Sequence, residues 1–269
     1  MKNTTQQEIP SLLERYELKY LIPESLITPI SDFVSIYCSK DNYGEKTEDG
    51  FYDIYSLYFD TPDYLFFRKR MEGAASRFNM RIRTYDDQSG LPCFFEVKQK
   101  YNGIVRKYRA TVNDSHWPEV LENSIHKLKS FKNDKDALNA DLFIRLACSY
   151  RALPKVLTHY RRKAYISDVD DYARVTFDMN LRCQPEENFN LIPDRDRMIF
   201  YDNSTIFDPE CCVILELKCY STQVPLWMVD LISFFDLQRG SFSKYVYSIT
   251  QIIQSLQYDR GDRVATCHY

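Results

Sequence analysis

The chain has 269 residues and a mass of 32.0 kDa, enough for one large domain with a sizeable core. Hydrophobic residues make up 44% and charged residues 27%, a globular balance, and only seven glycines exclude collagen-like or Gly-rich disordered chains. A net charge of −3 argues against a general nucleic-acid binder, and no apolar run reaches the ~18 residues of a membrane-spanning helix.

Residues 1–11 are polar and read as a loose tail without an apolar signal core, so the expected location is cytoplasmic. Residues 15–21 alternate charged and apolar side chains, which is a strand signature. Pro23 then opens a helical stretch to about Cys38, followed by a polar loop at 39–50. A strand at 52–60 ends at Thr61-Pro62-Asp63, where Asp60 is placed to cap a short helix running to Met71. Strands at 77–85 and 93–100 flank a turn, and Asn102-Gly103 turns the chain into a strand at 104–112. Residues 116–150 have helical spacing with a polar break near 132–135. Strands follow at 155–167, 173–182 and 212–220, with a polar, irregular segment at 184–209. Helices are expected at 225–237, where Trp227 and Met228 should be core, and at 242–257, before a polar tail at 259–269.

No Gly/Pro/Ser-rich linker divides this pattern, so residues 12–258 are expected to form one α+β domain, mainly antiparallel, with helices outside the sheet. The eight cysteines show neither a C-x-x-C pair nor zinc-site spacing and read as free thiols, mostly buried. The histidines at 116, 126, 159 and 268 read as surface or packing groups, and strand parity turns His159 away from the face that carries Tyr160.

Residues two apart on a strand share a face. Arg15, Glu17 and Lys19 therefore lie together, as do Arg81 and Arg83, Glu96 and Lys98, Lys107 and Arg109, Tyr160 and Arg162, Arg174 to Asp178, and Glu216 and Lys218. The opposite faces are apolar, for example Phe95 and Val97, Val175 and Phe177, Leu215 and Leu217. In an ordinary half-exposed sheet such charged faces meet water. Seven strands that repeat the pattern, with abundant Arg and three Glu-x-Lys pairs, fit a closed sheet whose charged faces turn inward. About nine inward cations repel one another strongly and call for a polyanion. Arg forks match phosphate oxygens, and carboxylates among them suit a divalent metal bridging those oxygens.

In order and spacing, RYELKYLIP (15–23), SLYFDTPDY (56–64), RIRTY (81–85), FFEVKQK (94–100), RVTFD (174–178), LELK (215–218) and SFSKY (241–245) resemble the triphosphate tunnel metalloenzyme, or CYTH-like, superfamily. Within it they are most similar to the VTC domain of polyphosphate polymerases and their bacterial relatives. The resemblance runs from about residue 12 to 256. It implies a closed, mainly antiparallel eight-stranded β-barrel, the triphosphate tunnel, with helices packed outside. It also implies synthesis of inorganic polyphosphate from ATP, with Mn²⁺ or Mg²⁺ and release of ADP.

Carried onto this chain, the resemblance makes Arg81, Arg83, Lys98, Arg162 and Arg174 the catalytic cations. Lys19, Lys107, Arg109, Tyr160, Lys218, Ser243 and Lys244 become phosphate-binding groups, and Glu216 the metal ligand. Hydrolases of small triphosphates in the superfamily carry Glu-x-Glu-x-Lys on the first strand. Here Arg15-x-Glu17-x-Lys19 has one carboxylate fewer, which favours the polymerase branch. Near the last helix, Ser241 stands where the eukaryotic polymerases have a further lysine, with Arg239 close by. A hydrolase of triphosphate, nucleoside triphosphate or short polyphosphate, and a non-catalytic polyphosphate-binding module, are the alternatives. The expected partners are ATP and inorganic polyphosphate or triphosphate.

Overall fold

The computed structural model describes residues 15–85, 89–102, 104–113, 131, 133–201, 211–220 and 222–265. The expected tail at 1–11, the stretch 114–130, residues 202–210 and the last four residues lie outside them, with His116, His126, Cys267 and His268. Strand β1 (Arg15–Ile22) leads through a 3₁₀ turn to helix α1 (Ile27–Val34), short β2 (Cys38–Lys40), β3 (Phe51–Asp60) and α2 (Leu65–Met71). Next come β4 (Ser76–Thr84), β5 (Cys93–Tyr101), β6 (Ile104–Val112), α3 (Asp134–Tyr150), β7 (Leu153–Ser167) and β8 (Ala173–Pro185). The chain ends with β9 (Ile199–Phe200), β10 (Val213–Tyr220), α4 (Leu226–Phe234), β11 (Arg239–Gly240) and α5 (Lys244–Ala265).

The strands form one antiparallel sheet in the order β11-β1-β10-β8-β7-β3-β4-β5-β6, with β2 also on β7 and β9 on β8. Eight of the eleven strands among the described residues are long, as the alternating segments predict. Among the described residues no ladder joins β6 back to β1 or β11, so the sheet is unclosed rather than the expected closed eight-stranded barrel. Alternation fixes which side chains share a face; it does not fix whether twist and stagger bring two edges within hydrogen-bonding distance.

The apolar faces are covered by helices. Leu215, Leu217, Val175, Phe177 and Tyr20 pack with α1 (Ile27, Ile30, Val34) and α4 (Trp227, Met228, Leu231). Leu57, Phe59, Met80, Ile82, Phe95, Val97 and Val112 pack with α3 (Ala140, Phe143) and Phe66 of α2. Each fully buried Leu, Val or Phe side chain contributes roughly 1.5–3 kcal/mol. These outer clusters therefore supply the cohesion that a face crowded with charge cannot.

The last helix departs from the expected jacket. Ile54, Val156 and Ile214 lie on the charged face by strand parity, and Leu181 joins them because a bulge, where the register of β7 and β8 shifts between His159 and Arg161 and Asn180 takes a left-handed φ of 55°, reverses the parity of β8; all four are apolar and buried. They form a third cluster with Phe242, Tyr245, Ile249 and Ile252 at the start of α5. Thus α5 packs on the same side of the sheet as the charges. It also runs through Ala265, into the segment expected as a polar tail.

One further expectation changes, and the free thiols stand as expected. The stretch 23–38 contains α1 alone as an α-helix, and Cys38–Lys40 pairs instead with the end of β7 that extends beyond β3. Cys38, Cys93, Cys183 and Cys219 are buried free thiols, whereas Cys148 is exposed. Among the described residues no helix is long and apolar enough to cross a membrane.

Candidate polyanion site on the concave face

Cross-strand register brings the alternating charges into contact. β1 and β10 pair Lys19 with Glu216 and Glu17 with Lys218. β7 and β8 pair Arg162 with Asp178, β4 and β5 pair Arg81 with Glu96, and β5 and β6 pair Glu96 with Arg109. Glu17 of β1 also meets Lys98 of β5 at 2.7 Å, although five strands separate β1 from β5 in the sheet order. The sheet therefore curls until side chains from near its two ends touch, and the charged face becomes concave.

Three buried carboxylates organise the cations. Glu96 receives Arg81 at 2.7 Å and Lys107 at 2.6 Å, with Arg109 at 3.6 Å. Asp178 takes a two-pronged contact from Arg162, both distances 2.6 Å, and the Lys244 ammonium at 2.5 Å. Glu216 receives Lys218 at 2.6 Å and Lys19 at 3.0 Å, with Arg162 at 3.9 Å. Arg83 bonds the hydroxyls of Tyr160 (3.0 Å) and Ser56 (3.3 Å). The Lys244 ammonium lies 4.4 Å from the Tyr160 ring centroid.

The titration behaviour follows from this crowding. Burial would raise the Glu216 carboxyl, but Lys19, Lys218, Lys244 and Arg162 outweigh it and hold the group well below the ordinary value. Glu96 behaves alike under Arg81, Arg83 and Lys107, and Asp178 is lowered by Arg162 and Lys244 against its burial. Burial and Glu216 would raise Glu17, yet Lys98, Lys218 and Lys19 bring it to about 2. Burial pulls Lys107 down to about 7, Glu96 opposes the fall, and Arg81 and Arg83 reinforce it.

Among the described residues, nine cations (Lys19, Arg81, Arg83, Lys98, Lys107, Arg109, Arg162, Lys218 and Lys244) are gathered with four carboxylates (Glu17, Glu96, Asp178 and Glu216) at the centre of this face, an excess of five positive charges. Twelve of the thirteen expected site residues lie on the concave face or at its margin. Arg174 is at the margin: its guanidinium bonds Asp41 at 2.7 Å, and Asp41 also accepts the Tyr52 hydroxyl at 2.8 Å. Ser243 immediately precedes α5, and its carbonyl accepts the Tyr247 amide at 3.0 Å; its side chain joins none of the three carboxylate groups. Arg239 stands apart: it is exposed and pairs with Tyr20, whose ring belongs to an outer cluster.

The expected set omits Tyr58, Glu96, Asp178 and Thr176. Tyr58 accepts Arg81 at 2.9 Å, and its phenol is lowered by Arg81, Arg83 and Lys244 in spite of burial. Its signal is parity, since Tyr58 shares a strand face with Ser56 and pairs with Arg81. Thr176 lies opposite Glu216, and its buried hydroxyl has no hydrogen-bond partner among the described residues.

The excluded candidates behave as expected. Asp60 accepts the amides of Phe66 and Phe67, both at 2.9 Å, and so caps α2. His159 contacts Asp53 at 2.6 Å and stacks on Tyr55, on the outer face.

Among the described residues no group of three or more His, Cys, Asp or Glu side chains is placed to hold a metal. Glu216 is a single carboxylate with both oxygens engaged by ammonium groups. The residues therefore fit a divalent cation only where phosphate oxygens supply its other ligands, as Mg²⁺ commonly binds.

No curated protein matches the chain. Among solved structures, the bh2851 protein of Bacillus halodurans is 12% identical, with a TM-score of 0.45 over 86% of this chain and 94% of that one. The PH1819 protein of Pyrococcus horikoshii OT3 is 10% identical, with a TM-score of 0.42 over 90% and 99%. HpAC1 from Hippeastrum, described as having a dominant triphosphatase activity, is 14% identical, with a TM-score of 0.42 over 88% and 96%. The VTC domain family matches residues 14–253. That span runs from β1 into α5 and takes in every strand that lines the concave face, and so the chain belongs to the VTC domain family.

Proposed function

We propose that the concave face binds a triphosphate and carries out metal-dependent phosphoryl transfer, synthesising inorganic polyphosphate from ATP with release of ADP. The observation that carries this reading is the excess of positive charge on a face whose carboxylates are already paired. Such a face is incomplete until a polyanion joins it. Lys98 and Lys107 are 46% and 45% exposed, so they can turn from their carboxylates to an incoming phosphate.

Phosphoryl transfer needs alignment and charge stabilisation more than covalent help. Arg81, Arg83, Lys98 and Arg162 clamp the ATP triphosphate, with Arg174 at the margin. Lys19, Lys107, Arg109, Lys218, Ser243 and Lys244 hold the product chain, and Tyr160 orients Arg83. A terminal phosphate oxygen of that chain forms the new bond to the γ-phosphorus while the bond to the β-phosphate oxygen breaks, releasing ADP. The attacking oxygen is already anionic near neutral pH, so the absence of a histidine base from the described concave residues is no obstacle. Mn²⁺ or Mg²⁺ held by Glu216 would neutralise charge on the phosphate oxygens.

Hydrolysis of triphosphate or short polyphosphate is the second reading, and one feature favours it. The cluster of α5 on Ile54, Val156, Leu181 and Ile214 covers part of the concave face, which suits a short substrate better than a threading chain.

Purified protein incubated with ATP and Mn²⁺, with and without a polyphosphate primer, separates the two. A ladder that lengthens as ADP accumulates is the expected result; free phosphate without a ladder supports the hydrolase. Glu216→Gln should lower turnover by about 10²-fold or more while leaving polyphosphate binding intact, because it deletes a negative charge from a cationic surface. Undiminished turnover in that variant would remove Glu216 from the mechanism. Tight polyphosphate binding with neither product would leave a binding module.

A further inference from the structure

At one end of the concave face the cations are bordered by four aromatic rings, Tyr43, Tyr52, Tyr85 and Phe94, that phosphate chemistry does not use. Tyr52 of β3 pairs across strands with Arg162, and Phe94 of β5 pairs with Arg83. Tyr85 follows β4, two residues beyond Arg83 and of the same parity. Its ring meets Phe94 edge-on at 5.6 Å and Tyr52 at 6.0 Å, which places all three on the concave face. The Arg109 guanidinium lies 3.8 Å from the Phe94 centroid. Burial would raise the Tyr85 phenol, but Arg83 and Arg109 bring it down, so the rings and the cations form one continuous surface.

The fourth ring comes from the connection between β2 and β3. Tyr43 stacks on Tyr85, with centroids 4.4 Å apart and planes inclined by 25°. Asp41 fixes this connection. One of its carboxylate oxygens accepts the Gly44 amide at 3.0 Å, and the other accepts the Tyr52 hydroxyl at 2.8 Å and Arg174 at 2.7 Å. The connection is also tight at Gly44, where a Cβ would stand 3.0 Å from the Gly50 carbonyl oxygen. Tyr43 is thus held in place, yet it is 38% exposed. The exposed Lys46 ammonium lies 5.9 Å from its centroid, at the outer limit of a cation–π contact, and can give way. Helix α5 lies towards the opposite end of the groove. Its Tyr245 stacks on Tyr58 at 5.1 Å and bonds Asp60, where β3 finishes, whereas the four rings gather where β3 begins.

We propose that these rings form a nucleobase subsite, in which the base of ATP stacks on Tyr43 while its phosphates extend to Arg83 and Arg162. The inference deepens the proposed function and rests on its reading that ATP is the phosphate donor. The faces of aromatic rings carry negative charge density and do not attract phosphate, whereas every base offers a flat π-face that stacks on them. Strand rise sets Tyr85 roughly 7 Å beyond Arg83, a distance that one ribose can span. The subsite therefore separates a nucleoside triphosphate from an inorganic one by stacking, since the two are alike in their phosphates.

Calorimetric titration at low salt without divalent cation tests the proposal, with the non-hydrolysable β,γ-imido analogue of ATP and separately with inorganic tripolyphosphate. Tyr43→Ala should weaken the ATP analogue roughly tenfold and leave tripolyphosphate within about twofold of wild type. Tyr43→Leu, which fills the space without a ring, should do the same, and Tyr43→Phe should bind both ligands as wild type does. Retained tripolyphosphate binding also shows that the variants fold. An equal loss for both ligands in Tyr43→Ala and Tyr43→Leu overturns the proposal, because the connection would then act on the phosphates. A loss in Tyr43→Phe as large as in Tyr43→Ala overturns it too, because the hydroxyl and not the ring would carry the contact. Tripolyphosphate binding beside an ATP-analogue affinity indifferent to Tyr43 overturns the subsite alone. Wild-type protein that binds neither ligand overturns the proposed function, and the subsite with it.

Discussion

Lys107 is subject to opposing demands. Glu96 at 2.6 Å favours its charged form, whereas burial, Arg81 and Arg83 disfavour it, and the ammonium settles at about 7. A phosphate placed beside it adds negative charge and raises that value. As pH rises past 7 the free protein increasingly holds Lys107 neutral, which takes the concave excess from five charges towards four, and binding a triphosphate takes up a proton. Affinity should then fall as pH rises through 7 and beyond, because protonating the lysine becomes part of the cost of binding. Calorimetry at pH 7.5 in two buffers of different ionisation enthalpy should show uptake of a fraction of a proton, and Lys107→Met should abolish the uptake while binding survives. An identical heat in both buffers would show that Lys107 stays charged in the free protein.

At the scale of elements, Asp60 joins three of them. It ends β3, caps α2 through the amides of Phe66 and Phe67, and accepts the Tyr245 hydroxyl of α5. Asp60→Ala removes a helix cap and leaves buried donors unpaired, a loss of roughly 2–4 kcal/mol in urea unfolding. A loss under 1 kcal/mol would mean that the α2 amides find other acceptors. The cap is legible in the sequence because it needs only local spacing: an Asp directly before Thr-Pro-Asp. So are the eight long strands and the charged parity, since alternation is also local. The cover by α5 is not, because it depends on four apolar residues from four strands meeting one helix. Leu181 escapes for a related reason. The bulge at Asn180 reverses the parity of β8, and nothing in the alternation before it announces the change. Ile54, which breaks the polar run between Tyr52 and Ser56, is a weak local sign that this face is not uniformly wet.

At the scale of the whole molecule, charge separation sets the behaviour. The chain carries −3 overall, yet the thirteen charged groups gathered at the centre of the concave face have an excess of five positive charges, so the rest of the chain carries −8. A polyanion is repelled by most of the surface and attracted by one. Added salt therefore acts in opposite directions on the free and the bound protein. In the free protein it screens the mutual repulsion of the concave cations and should raise the melting temperature. In the complex it competes with the ligand, so the further rise in melting temperature produced by tripolyphosphate should shrink as salt increases. Thermal melts from low salt to about one molar, with and without tripolyphosphate, should thus converge, the free curve climbing as the ligand-induced shift declines. If the free protein loses stability with salt over that range, the carboxylate pairs outweigh the repulsion between cations, and the face is complete without a ligand.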